Sequence, residues 1–125
     1  TMIHGIGVDI CDSKRIKKIF QRYDYKFLNR IFIDQEISYC LKKSNPAPYL
    51  AARFAFKEAF FKALNPGTEI SFHDIGLSGE EGKKNVYTSG RLGLILKDMS
   101  VNNIQFSISH ERHYSIAMVL LEKNS

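Results

Sequence analysis

Three groups of residues carry types and spacings that could do chemistry. Asp9 is a carboxylate in the otherwise apolar run Ile3 to Ile10, where burial is costly unless a cation or several donors compensate. In mid-chain, Arg53, Lys57, Glu58 and Lys62 lie close together. On a helix Glu58 and Lys62 share one face and Arg53 and Lys57 a neighbouring one, so one carboxylate is expected to be ringed by three cations. Near the end, Ser109-His110-Glu111 stands where an apolar strand reaches its turn. Adjacent strand residues point to opposite faces, so Ser109 and His110 cannot pair as nucleophile and base. The imidazole is left to bind a phosphate or carry a proton. Two oxygen ligands suit Mg2+, which takes one or two carboxylates and completes its shell with water and substrate phosphate; Asp9 and Glu58 are the candidate pair. The plainer alternatives are a helix-capping Asp9 and a solvated Glu58–Lys62 pair.

Other chemistries are excluded by what is missing. Gly5-Ile6-Gly7 would need a further glycine at position 10 to match the dinucleotide fingerprint, and Ile10 is there. No Gly-Lys-Ser or Gly-Lys-Thr phosphate loop occurs, and His4, His73, His110 and His113 lack the spacing of a helical zinc site. Cys11 and Cys40 form no Cys-x-x-Cys pair and no disulfide framework, which fits a reducing cytoplasm. The longest apolar run, Ile116 to Leu121, is far short of the ~20 residues of a membrane span, so no membrane insertion is expected. Thr1, ahead of Met2, is expected to be a cloning remnant and stands outside the functional reading. With 44% hydrophobic and 25% charged residues the chain reads as an ordinary globular protein, one domain over residues 1–125.

These residues must be held by an α+β arrangement. The alternation from Ile3 to Ile10 predicts a strand with Ile6, Val8 and Ile10 on one face and Gly5, Gly7 and Asp9 on the other. Asp12 or Ser13 can cap a helix whose stripe is Ile16, Ile19, Phe20 and Tyr23. A short helix is predicted over Phe27 to Phe32 and another over Asp34 to Lys43 with Asp34 as its cap, after which Ser44, Asn45, Pro46 and Pro48 break the chain. Tyr49 to Leu64, free of Gly and Pro, is the strongest helix signal, stopped by Asn65-Pro66-Gly67. Strands follow at Ile75 to Ser78 and Asn85 to Thr88 around the turn Gly79 to Lys84, then a helix from Arg91 to Met99, then a hairpin of Ile104 to His110 and Tyr114 to Leu121.

Ile6-Gly7-Val8-Asp9-Ile10, Arg53-Phe54 with Lys57-Glu58-Ala59 and Lys62, and Ile108-Ser109-His110, in that order and spanning Met2 to Glu122, resemble the small bacterial 4'-phosphopantetheinyl transferases, the holo-[acyl-carrier-protein] synthases. The resemblance implies a long central helix packed on a mostly antiparallel sheet, assembled as a homotrimer with each site in a cleft between two subunits. It implies transfer of phosphopantetheine from coenzyme A to a serine of apo acyl carrier protein, releasing adenosine 3',5'-bisphosphate, in support of fatty acid biosynthesis. Carried over by motif, Asp9 and Glu58 would hold Mg2+ and Lys62 would contact the pyrophosphate. Arg53, Lys57 and His110 would take the remaining phosphate oxygens. The base for the serine proton could be Glu58, Asp9 or a water on the metal. Two departures concern loop geometry: Gly82-Lys83-Lys84-Asn85 lacks the proline usual after Gly-Lys, and Glu111 stands where Asp or Thr is more usual.

Charge points the same way. Between Ser13 and Arg30 lie seven basic residues and one acid, so this segment carries the whole positive excess of a chain whose net charge is +5. Carrier proteins of this kind are acidic, and the resemblance implies that Arg15, Lys18 and Arg22 steer one. A nucleic-acid-binding module would explain the charge but leaves Asp9 and the Glu58–Lys62 cluster without purpose, so no nucleic acid partner is expected.

Overall fold

The computed structural model describes residues 1–65, 67–79 and 83–124; Pro66, Glu80, Glu81 and Gly82, on which the expected helix stop and loop partly rest, lie outside the described residues. In chain order the elements are β1 (Met2–Asp12), α1 (Ser13–Tyr23), α2 (Tyr25–Ile31), α3 (Asp34–Leu41) and α4 (Ala47–Ala63). A 3-10 turn (Phe72–Asp74), β2 (Ile75–Ser78), β3 (Asn85–Thr88), α5 (Gly90–Asp98), β4 (Val101–Glu111) and β5 (Tyr114–Lys123) follow. The α+β reading and the two short strands stand as expected. A three-stranded antiparallel sheet has the order β1-β5-β4, and β2 and β3 form a separate antiparallel pair.

The sheet has one face on the core and one outward. In β5, Ala117, Val119 and Leu121 are buried, and across from them Ile108, Phe106 and Ile104 of β4 are half-buried. The β1 face that meets the core is the glycine face. Ile6, Val8 and Ile10 point outward at 60%, 52% and 63% exposure, opposite Leu120, Met118 and Ile116 of β5. The reason lies in α4, which crosses the inner face with Ala51, Ala52, Ala55, Ala59 and Ala63 all buried. A Cβ built at Gly5 would fall 1.9 Å from the Ala63 carbonyl oxygen, and one at Gly7 would fall 1.9 Å from that of Ala59. Only bare backbone fits there, so the glycines let strand and helix touch.

Helix boundaries follow local chemistry. Asp12 caps α1, its Oδ1 accepting from the Lys14 N–H at 2.9 Å. Ile16 is buried, whereas Tyr23, expected on the buried stripe, is 49% exposed because α1 turns away at Asp24, whose φ is 53°. The α3 boundary differs from expectation. Ile33 is the capping position, and Glu36 serves its N–H from within the helix at 3.0 Å. Pro48, expected as a breaker, lies in the first turn of α4, where its missing N–H leaves no bond unmade. Ser89 caps α5 by accepting from Leu92 N–H at 3.0 Å.

Candidate active site

Because Gly5, Gly7 and Asp9 share one face of β1, the contact that seats Gly7 on Ala59 also brings Asp9 beside the next part of α4. Lys62 Nζ donates to Asp9 Oδ1 at 3.1 Å and to the Val8 carbonyl at 3.0 Å. Its side chain is 55% exposed and that of Asp9 19%. Glu58, one helical turn before Lys62, is half-buried. Burial first and the neighbouring Asp9 carboxylate second push the Glu58 carboxyl above the ordinary carboxylate range, against the pull of Lys62 and of Arg15 from α1. Asp9, Glu58 and Lys62, separated by about fifty residues of sequence, are thus one cluster, with Arg15 at its edge.

That cluster fits a hard divalent cation. Two carboxylates held close enough to repel, with burial disfavouring the charge on Glu58, are what such an ion relieves. Among the described residues no group of three or more His, Cys, Asp or Glu side chains is placed to hold a metal. Two carboxylate ligands are what a hard cation that fills its shell with water and ligand oxygens would take, and four-coordinate structural zinc would need more side chains than these.

Lys57 does not join it. Its ammonium is fully buried and pairs with Glu36 Oε1 at 2.8 Å, while donating to the Phe72 carbonyl at 2.8 Å and to that of Ile75. The expected ring of three cations around Glu58 is corrected: 100° of helical rotation separates neighbouring side chains, and that turns Lys57 into the core. Burial lowers the Lys57 pKa, with Glu36 opposing.

Arg53 is also buried, at 1% exposure. Its guanidinium lies 4.4 Å over the Tyr39 ring, and Nη1 donates to the Tyr49 carbonyl at 3.2 Å. Nε and Nη2 have no hydrogen-bond partner among the described residues. Nearby, His110 Nδ1 lies 2.9 Å from Ser115 Oγ, which donates to the Pro48 carbonyl at 3.2 Å, and the His110 and Tyr49 rings are 6.1 Å apart. A groove of ≈ 430 Å³ opens here, lined by Lys43, Ser44, Asn45, Pro48, Tyr49 and His110. Lys43 Nζ sits 4.8 Å over the Tyr39 ring and 5.1 Å over that of Tyr49. Sequence reasoning missed Tyr39, Lys43 and Tyr49; the Tyr49-to-Arg53 spacing on a helix was the available signal.

The two clusters lie on opposite flanks of α4. Nine residues separate Glu58 from Tyr49, and Lys62 from Arg53, which is about 2.5 turns and so half a revolution. Asp9 belongs to one edge strand of the sheet and His110 to the other.

The family model of the 4'-phosphopantetheinyl transferase superfamily matches residues 5–119. A holo-[acyl-carrier-protein] synthase of Leptospira biflexa is 40% identical over 122 residues, covering 95% of this chain and 96% of its own. The crystal structure of the Neisseria meningitidis holo-[acyl-carrier-protein] synthase superposes with a TM-score of 0.88 at 34% identity, covering 98% of this chain and 100% of that one. The Helicobacter pylori enzyme, solved in complex with coenzyme A, does so with a TM-score of 0.79 at 32% identity, covering 94% of this chain and 99% of its own. The long central helix on an antiparallel sheet is therefore shared along nearly the whole length with known enzymes, and this chain belongs to the holo-[acyl-carrier-protein] synthase family of 4'-phosphopantetheinyl transferases.

Proposed function

We propose that the protein catalyses Mg2+-dependent transfer of 4'-phosphopantetheine from coenzyme A to a serine of apo acyl carrier protein. The observation that carries the reading is the Asp9–Glu58–Lys62 cluster, with its neighbouring carboxylates, the burial that raises the pKa of Glu58, and its exposed lysine. Coenzyme A bound to the Helicobacter pylori relative supports it. The serine oxygen bonds to the pantetheine-bearing phosphorus as the bond to adenosine 3',5'-bisphosphate breaks, and the hydroxyl proton passes to a base, for which Glu58, Asp9 and water are the candidates. Asp9 and Glu58 would hold Mg2+, which when bound would supply positive charge against the negative charge of the leaving group. Lys62 is long and exposed enough to reach the same phosphates.

Arg53 and His110 belong to a second subsite, with Lys43 and the Tyr49 ring, that receives the remaining phosphate and its nucleoside. Since this groove lies on the opposite flank of α4, one ligand reaches both clusters only if two copies of the chain share it. The outward apolar face of β1 and β5, centred on Val8 and Met118, supports such an assembly, and the family resemblance makes it a homotrimer. Arg15, Lys18 and Arg22 are exposed on α1. Between α1 and α2 a groove of ≈ 560 Å³ is lined by Ile19, Tyr23, Lys26, Phe27, Arg30 and Ile31. Cations beside an apolar slot suit an acidic amphipathic carrier protein. Two free, buried cysteines suit a cytoplasmic setting for this step of fatty acid biosynthesis.

The test is to incubate the protein with coenzyme A, Mg2+ and apo carrier and to weigh the carrier by mass spectrometry. A gain of one phosphopantetheine, dependent on Mg2+, is expected; an unchanged carrier overturns the reading. Sedimentation tests the assembly: three copies are expected, and a monomer at assay concentration removes the shared site.

A further inference from the structure

The Glu36–Lys57 pair is buried without exposure on either side, and each of its charged atoms has a hydrogen-bond partner. Lys57 has three ammonium hydrogens and three acceptors: Glu36 Oε1, the Phe72 carbonyl and the Ile75 carbonyl. Glu36 Oε1 also accepts from Ile33 N–H at 3.0 Å, and Oε2 from Leu77 N–H at 3.1 Å. One pair thus ties α4 to the start of α3, to the 3-10 turn and to β2. A buried ion pair is weak evidence for net stability, since apolar side chains of similar volume often do as well. What a fully bonded pair does supply is orientation, because each bond is directional and none can be relaxed without stranding a buried group.

Its position makes orientation matter. Lys57 immediately precedes Glu58 on α4, so any rotation or slide of the helix that moves one moves the other. On the sheet side α4 is already in backbone contact with Gly5 and Gly7. The helix is therefore clamped from two directions, by bare β1 backbone and by Glu36.

We propose that Glu36 and Lys57 are positioning residues: the pair sets the rotation of α4 that presents Glu58 and Lys62 to Asp9, and Lys57 itself touches no phosphate. This rests on the reading of Asp9 and Glu58 as the metal ligands. It replaces the expectation of a phosphate-binding Lys57, whose ammonium is committed in the core.

The test compares the full chain with Glu36→Asp, which keeps both charges but draws the carboxylate back by one methylene. A second variant, Glu36→Gln with Lys57→Met, removes both charges together. Mn2+ binding in the presence of coenzyme A is read by electron paramagnetic resonance, coenzyme A affinity by calorimetry, and kcat and KM by transfer to carrier. Circular dichroism certifies the fold at the assay temperature. The expected result is a Mn2+ affinity about tenfold weaker and a kcat about tenfold lower, with coenzyme A affinity within twofold of the unaltered chain. Mn2+ affinity and kcat within twofold of the unaltered chain in a folded variant would overturn the proposal. Weakened coenzyme A binding with unaltered Mn2+ affinity would overturn it in favour of a direct phosphate contact. Failure of even Glu36→Asp to fold would overturn it by making the pair a condition of the fold. An unaltered chain that neither binds Mn2+ with coenzyme A nor modifies carrier would sink the functional reading instead.

Discussion

Two lysines five residues apart on α4 have opposite fates. Lys62 is more than half exposed and reaches Asp9 at 3.1 Å, whereas Lys57 is fully buried and meets Glu36 at 2.8 Å. Residue type and local sequence are nearly the same; the surroundings differ. Lys62 leaves the helix past β1, where the strand ends in polar groups and water is near. Lys57 leaves it towards α3 and β2, where only Glu36 and two carbonyls offer partners. The exposed pair contributes little to stability but keeps a cation mobile and available, while the buried pair is locked and unavailable to ligand.

The largest effect should come from breaking the buried pair on one side only. Lys57→Ala or Glu36→Ala leaves an uncompensated buried charge, at about 3–5 kcal/mol, so thermal unfolding should drop by roughly 10–20 °C. Asp9→Ala and Glu58→Ala should lower turnover by about 10²–10³-fold, the scale of losing a metal's charge stabilisation. Their unfolding temperatures should stay within about 3 °C of the unaltered chain, since exposed ionic contacts are worth ~1 kcal/mol or less. A large loss of stability there would show the two clusters to be alike. Charge reversal at Arg15, Lys18 and Arg22 together should raise the KM for carrier by about tenfold or more with kcat held. That gap should close in high salt, because such steering is screened within ~10 Å at 0.1 M; a salt-independent gap would remove steering as its cause.

Asp74 sharpens the comparison from between the extremes. Burial pushes its carboxyl up, but the Ser71 N–H, the Ser89 hydroxyl, each at 2.7 Å, and Arg91 at 3.5 Å outweigh it, and its pKa falls below the ordinary value. A depressed folded pKa adds stability above the unfolded value of about 3.9, and that contribution is lost as pH falls through the folded one. Asp74→Asn should therefore lower the unfolding temperature by a few degrees near pH 7. The gap should begin to close below about pH 4 and vanish only below the folded pKa; a gap constant with pH would assign the loss to packing.

Much of this was legible in order and type. The α+β reading, the hairpin of β4 and β5, the long α4 and the Asp9–Glu58–Lys62 set follow from periodicity, from the absence of Gly and Pro between Tyr49 and Leu64, and from motif. Positions decided by what lies across space were less legible. Gly5 and Gly7 fail as a dinucleotide fingerprint, and their purpose, backbone contact with Ala63 and Ala59, exists only once strand and helix are packed. That contact also turned the isoleucine face of β1 outward, while Tyr23 left its expected stripe where α1 turns away at Asp24.

The sequence by itself determined that a carboxylate stands in an apolar strand, that Glu58 and Lys62 share a helical face, and that the positive excess sits between Ser13 and Arg30. These are properties of spacing, and helical or strand geometry converts spacing directly into direction. Only the tertiary structure decided which cation meets which anion. Helical rotation sets Lys57 100° from Glu58, but what waits at that angle depends on α3 and β2, brought from twenty residues before and after. In water either lysine could pair with any carboxylate at little gain; in the core a charge must have its partner, and the fold assigns it.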